Sequence, residues 1–188
     1  MQFYDVIEKR TSIKKFKNTN ISKDKVDRMI TAAMMAPSWK NQTSYKFIII
    51  DDENKKNELA NAIANKTDEA SQSIKDAPIV AIVVANPNES GMVNEKEYYL
   101  VDSAIAMEHF ILAATEEGYG TCWIGAFDEN SVKNALDIPK DYKVIAMTPV
   151  GEAQENKEHY DKKDIRDYVF INSWNKSYTK KSNSQYKN

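Results

Sequence analysis

Apolar residues recur along this chain with two periods, and the switches between them outline alternating helices and strands. Residues 3–10 place Phe3, Val6, Ile7 and Arg10 on adjoining faces of a short helix. Ser22 is a candidate N-cap for the next one, in which Val26, Met29, Ile30, Ala33 and Met34 recur at helical spacing. Pro37 stops that helix, because the residue before a proline is pushed out of the α region. Tyr45–Ile50 is apolar except for Lys46 and predicts a strand, followed by an Asp52-capped helix to residue 65 and a second short helix over 67–76. Pro78 opens an unbroken apolar run over 79–84, the pattern of a strand buried on both faces.

Residues 86–91 are turn formers and a candidate lid or rim. The longest helical pattern covers 96–117, with Leu100, Ala104, Met107, Ile111 and Ala114 on one stripe. Val101, Ile105, Glu108 and Leu112 widen it, which predicts cover on more than one side. Gly118 ends it. Residues 122–127 read as a strand, Asp128 as the cap of a helix closed by Pro139, and 144–150 as a last core strand. The order predicts an α/β (α+β) architecture, a mixed central sheet flanked by helices. After Gly151 the pattern changes: 152–167 is polar, residues 168–171 form a short apolar patch, and the remainder is rich in Lys, Ser and Asn. The expected organisation is a core over 1–151 and an arm over 152–188 whose patch docks on a second copy of the chain.

Composition narrows the class. At 188 residues, 41% hydrophobic and 29% charged, the chain is long enough for one globular domain with a core. The formal net charge of −2 gives no drive toward nucleic acid, since basic patches at 9–17 and 175–187 are balanced elsewhere. A single cysteine, Cys122, excludes an intrachain disulfide framework and fits a reducing compartment. No apolar run is long enough to span a membrane, and charges come too early for a secretory signal, so a cytoplasmic location is expected.

Three stretches carry candidate chemistry. In an extended chain Arg10, Ser12 and Lys14 point the same way, a row of guanidinium, hydroxyl and ammonium suited to an elongated phosphorylated ligand. Residues 36–42, Ala-Pro-Ser-Trp-Lys-Asn-Gln, link a helix to a strand and are suited to lining a flat ring, or form a plain turn. Gly118, Gly120 and Gly125 surround the next strand, where glycine admits either a ligand or a tight corner. That stretch is not a dinucleotide fingerprint, because Trp123 stands where a glycine is needed, and no Walker loop exists. His109 and His159 are the only histidines, and with one cysteine they offer no zinc spacing. Cys122 has nothing cationic beside it in sequence, and Glu108, Glu116 and Glu117 read as capping or solvated charge. Hard chemistry, if present, belongs to a cofactor.

Taken in order, Arg10-Thr11-Ser12-Ile13-Lys14-Lys15-Phe16, the 36–41 loop, Asp102 with Ala106-Met107-Glu108, and the 118–125 glycine stretch resemble the FMN-dependent nitroreductase family. The match runs from about residue 3 to 171. The resemblance implies a homodimer holding two FMN at its interface, with a C-terminal arm exchanged between subunits. It assigns Arg10 to the phosphate, Ser12 to the ribityl region and Lys14 to the pyrimidine edge as an electrostatic stabiliser, with Thr11 also among the cofactor-binding residues. Pro37, Ser38, Trp39 and Asn41 fall in a loop that touches the flavin of the other subunit. Ile124 and Gly125 match backbone beside N5, and Lys162 or Lys163 a second phosphate cation. Thr43-Ser44-Tyr45 and Ala70-Ser71-Gln72-Ser73 depart from the family pattern, so the ring contacts near 70–73 are lost or replaced. The implied activity is ping-pong transfer of hydride from NADH or NADPH, through flavin N5, to a small acceptor such as a nitroaromatic or quinone. No side chain is required as a general acid. The alternatives are flavin, enoate or dehalogenating reduction on the same scaffold, or FMN binding without turnover.

Overall fold

The computed structural model describes residues 2–155, 157 and 164–178. Helices α1 (Phe3–Lys9), α2 (Lys23–Met34), α3 (Glu53–Asn61), α4 (Glu69–Asp76), α5 (Tyr98–Glu116) and α6 (Glu129–Ala135) accompany six strands. The strands are β1 (Tyr45–Ile50), β2 (Ile79–Ala85), β3 (Met92–Val93), β4 (Lys96–Glu97), β5 (Gly120–Thr121) and β6 (Lys143–Gly151). A four-stranded sheet runs β1-β2-β6-β5 with every neighbour antiparallel, and β3-β4 form a separate hairpin. Parallel pairing among the described residues is confined to the bridge between Ser12 and Thr121.

The seven apolar residues of β2 explain the layering. Successive side chains of a strand point to opposite faces. Ala81 and Val83 therefore join Met29, Ala33, Met107 and Phe110 of α2 and α5 in one core, while Val80, Ile82 and Val84 join Leu59, Ile74 and Val132 of α3, α4 and α6 in the other. A sheet covered on both faces needs this continuous run. Local capping sets several boundaries. Asp52 accepts from the Lys55 N–H at 2.9 Å and Asp128 from the Ser131 N–H at 3.1 Å. Gly118, with φ +88°, ends α5: its N–H bonds the Thr115 carbonyl and the Tyr119 N–H the Ala114 carbonyl, a Schellman turn. Ser22 precedes α2 without a side-chain capping bond.

Tertiary contacts move other boundaries. Residues 122–127 are not a continuous strand. The Cys122 N–H donates to the Thr148 hydroxyl, Trp123 is exposed, and only Ile124 and Phe127 make isolated bridges, to Met147 and Ile63. Pairing of 63–64 with 126–127 likewise ends α3 at Asn61 rather than 65, with Ala64 N–H bonded to the Ala126 carbonyl. Asn94 and Glu95, both at positive φ, turn the hairpin that precedes α5, so the helix starts at Tyr98. Along α5, Met107, Phe110, Ile111 and Ala114 are buried, whereas Leu100 and Val101 remain exposed.

The chain divides into two compact units, Met1–Lys157 and Glu158–Asn188. Residues 152–155 stay in the first: the Lys17 N–H bonds the Glu152 carbonyl at 2.9 Å and the Gln154 N–H the Lys15 carbonyl at 3.0 Å. In the second, Asp164 caps the turn Ile165–Asp167, Phe170 bridges Ser177, and the rings of Phe170 and Trp174 meet at 4.9 Å. Tyr168 and Trp174 are exposed. Among the described residues no helix is long and apolar enough to cross a membrane.

Candidate active site

The segment over 10–16 is held extended along the sheet edge. Arg10 closes α1 through its N–H to the Val6 carbonyl, then Ser12 bridges Thr121 and the Ile13 N–H donates to the Thr121 carbonyl at 2.8 Å. Ile13 and Phe16 point inward and are buried. Two glycines opposite each other in the sheet make the room. A Cβ on Gly120 would lie 2.6 Å from Ile13 Cγ1, and one on Gly151 would lie 2.6 Å from Pro78 Cδ and 3.0 Å from Phe16 Cδ1. Gly120 thus serves the seating of chain on chain.

With Ile13 inward, Ser12 and Lys14 line a cavity of about 610 Å³ together with Asp68, Glu69, Gln72 and Asp76 of the α4 region and Gln154 and Glu155. Arg10 and Thr11 line an adjoining cavity of about 400 Å³ with Lys9, Tyr119 and Lys157. Ile13 and Lys157 border both. The row of the sequence is therefore divided between two chambers. Among the described residues, the smaller is lined by three cations, Lys9, Arg10 and Lys157, and by no carboxylate. The larger is mixed: Lys14 pairs with Glu69 at 2.5 Å, and that bond holds the Glu69 carboxyl below the usual range.

The other expected residues fall in two further places. The turn Trp39–Asn41 follows Pro37 and Ser38, with Lys40, Asn41 and Thr43 all at positive φ. The Thr43 N–H bonds Ser38 Oγ at 3.0 Å, and the Trp39 ring stacks on Tyr98 at 4.0 Å. No residue of 37–41 lines either cavity. Ile124 exchanges both backbone bonds with Met147, at 2.9 and 3.0 Å, so its N–H is committed to the sheet, and of this pair only Gly125 is exposed. Lys162 and Lys163 lie outside the described residues.

Two cavity residues were not singled out from the sequence. Gln72 lines the larger cavity with Lys14, and its amide donates to Asp76 Oδ1 at 2.7 Å. Its signal was present: Asp68, Glu69, Gln72 and Asp76 form a polar stripe on the face of α4 opposite buried Ala70, Ser73 and Ile74. Lys157 carries no local mark in the sequence. Side-chain nucleophiles and bases are poorly placed. Burial pushes the Cys122 thiol up, and His109 Nδ1 sits 3.3 Å from the Ala32 carbonyl. Among the described residues no His, Cys, Asp and Glu group is arranged for a metal.

Asp102, on α5, is buried, and its Oδ1 accepts the Trp39 N–H at 2.9 Å. Its Oδ2 and the Ser90 hydroxyl are both buried without a partner in hydrogen-bond geometry, although Ser90 lies close enough to favour the carboxylate. Burial dominates and raises the carboxyl above 3.8. The folded state then holds the proton more tightly than the unfolded one, so this stabilisation is complete below about pH 4 and is lost as pH rises through the folded value. Asp102→Asn, always neutral, is expected to unfold at higher urea than the parent at pH 7, with the gap closing below about pH 4. Urea midpoints across that range check it; a gap independent of pH rejects it.

The signature of the nitroreductase family matches residues 7–152. A nitroreductase family protein of Clostridium novyi NT is 50% identical, with a crystal structure that superposes at TM-score 0.81 and covers 95% of this chain and 97% of that one. An FMN-dependent nitroreductase of Clostridium difficile R20291 is 26% identical at TM-score 0.77, covering 90% of this chain and 98% of that one. A putative NADH dehydrogenase/NAD(P)H nitroreductase of Archaeoglobus fulgidus is 25% identical over 163 residues, 85% of this chain and 90% of that protein. The chain belongs to the nitroreductase family. It is an oxidoreductase of that class.

Proposed function

We propose that the protein is an FMN-dependent NAD(P)H oxidoreductase acting as a homodimer on small acceptors such as nitroaromatics or quinones. The observation that carries this reading is the pair of adjoining cavities along the 10–14 segment. The smaller, whose charged lining among the described residues is cationic, fits a phosphate, which Arg10 grips bidentately and Lys9 and Lys157 attract as point charges. The larger offers the Ser12 hydroxyl, the Lys14 ammonium and the Gln72 amide, and its size suits a flat ring with a polar edge. The residues present therefore fit FMN. When bound, FMN would supply the redox chemistry, taking two electrons from NADH or NADPH and passing them to the acceptor in a ping-pong sequence.

The side chains then bind and orient. Lys14 stabilises negative charge gained at the pyrimidine edge, and it can leave Glu69 to do so, because exposed pairs of this kind are weak. Gly125 presents exposed backbone. Two features support a second subunit: the 37–41 loop lines neither cavity of its own chain, and Leu100, Val101, Met34 and Met35 form uncovered apolar surface. In this reading the loop of one subunit meets the ring held by the other, and the arm from 158 onward packs on the partner.

Arg10→Ala is expected to raise the FMN dissociation constant roughly 10- to 100-fold, since a hydrogen bond to a charged group is worth about 1.5–3 kcal/mol. Fluorescence titration of flavin-free protein measures it, and unchanged affinity defeats the phosphate assignment. Stopped-flow mixing of the flavin-loaded protein with NADH or NADPH separates an enzyme from a protein that only stores FMN. Bleaching by neither would end the oxidoreductase reading of this site.

A further inference from the structure

The environment of Trp39 links two segments that the sequence presents as separate. Its backbone N–H is held at 2.9 Å by Asp102, a carboxylate only 2% exposed near the start of α5. Its ring stacks on Tyr98 with centroids 4.0 Å apart. Against the same indole lies Gly91, where a Cβ would stand 2.2 Å from Trp39 Nε1. The Tyr98 N–H in turn bonds the Gly91 carbonyl at 2.9 Å and closes the base of the β3-β4 hairpin. The hairpin base therefore grips the indole through both of its ends, while α5 grips the backbone of the same residue.

That grip has something to restrain. Lys40, Asn41 and Thr43 are non-glycine residues in left-handed backbone, a conformation that costs about 1–3 kcal/mol per residue and persists only where the surroundings over-determine it. Removing a hold on Trp39 should release the whole loop, not one side chain. A tryptophan that merely filled space would need neither the buried carboxylate on its N–H nor a glycine pressed against its ring.

We propose that Asp102 and Gly91 are positioning residues which, through Trp39, lock the 37–43 loop and the 91–98 hairpin into one body, so that the segment meeting the cofactor ring and the hairpin beside it cannot be set independently. The inference rests on the function proposed above for its account of what the loop meets, but the lock itself is a property of the chain without ligand. The thickness of the indole sets how far the hairpin base stands from the loop.

Hydrogen–deuterium exchange of the full chain tests the lock, with the flavin removed and again with FMN added. Gly91→Ala is expected to speed exchange on the order of tenfold both in 38–43 and in 92–98, leaving β2 unchanged. Asp102→Leu is expected to do the same, while Asp102→Asn, which keeps an oxygen for the Trp39 N–H, stays close to the parent. If Asp102→Leu does not fold, the contrast between Gly91→Ala and Asp102→Asn carries the test. Faster exchange confined to 92–98 in Gly91→Ala, or an Asp102→Asn as loose as the alanine variant, overturns the proposal. A second readout is kinetic: Gly91→Ala is expected to raise the acceptor KM about tenfold with a smaller change in kcat, because loosening the loop that meets the ring weakens binding there before it touches the chemistry. A fall in kcat alone counts against it. In the parent chain FMN is expected to protect both segments together. Protection of neither would remove the cofactor placement while the mutant pattern still decides the lock.

Discussion

A chain that stops at Lys157 is expected to run as a monomer and to lose its FMN on gel filtration. The second unit begins at Glu158, and within it Ile165, Tyr168, Ile171 and Trp174 are exposed large apolar side chains on a polar segment. Burying each such side chain contributes about 1.5–3 kcal/mol, so on a partner subunit this set would be a large part of what holds a dimer together. Cutting after 157 rather than after 151 matters for interpretation. Residues 152–155 pair with 15–17, and Lys157 borders both cavities, so the shorter deletion leaves the 10–16 segment seated. Loss of flavin would then report on the arm and the missing partner, not on a collapsed site. Light scattering gives the mass and absorbance near the flavin bands gives the occupancy. A yellow dimer from the truncated chain would refute the exchanged arm.

Phe110→Ala is expected to destabilise the fold by about 3–5 kcal/mol, the range for removing a buried aromatic ring whose cavity closes only partly. Phe110 has no exposed surface, stacks on Phe47 at 5.5 Å, and sits where α5 crosses the sheet in the core shared with α2. Leu100→Ala on the same helix should cost a dilute monomer far less, because Leu100 is 42% exposed, and should instead weaken association. Urea unfolding at two protein concentrations separates the two effects. A Phe110→Ala loss of less than about 1 kcal/mol would mean this core is not the packed layer described here.

Much of the fold was legible along the chain because its causes are local. The run in β2 demands cover on both faces, Asp52 and Asp128 cap the helices they precede, and Gly118 stops α5 where its positive φ is needed. The 10–14 segment was legible as an extended polar row for the same reason: alternation is a property of neighbouring residues. Where prediction failed, a distant partner decided. Residues 122–127 read as a strand, yet the Thr148 side chain takes the Cys122 N–H and only isolated bridges form beyond it. Residues 63–64 leave α3 because 126–127 offer them backbone bonds.

The amino-acid sequence by itself determined the layer order, the capped starts of α3 and α6 and the row of polar residues from Arg10 to Lys14, since propensity, capping and period act over a few residues. Only the tertiary structure decided that Gly120 makes room for Ile13, that Gln72 joins Lys14 in one cavity and Lys157 joins Arg10 in another, and that Trp39 is wedged between the hairpin base and α5. Those pairings join residues tens of positions apart or more. Their energies exist only after the chain has closed on itself, so no local pattern records them.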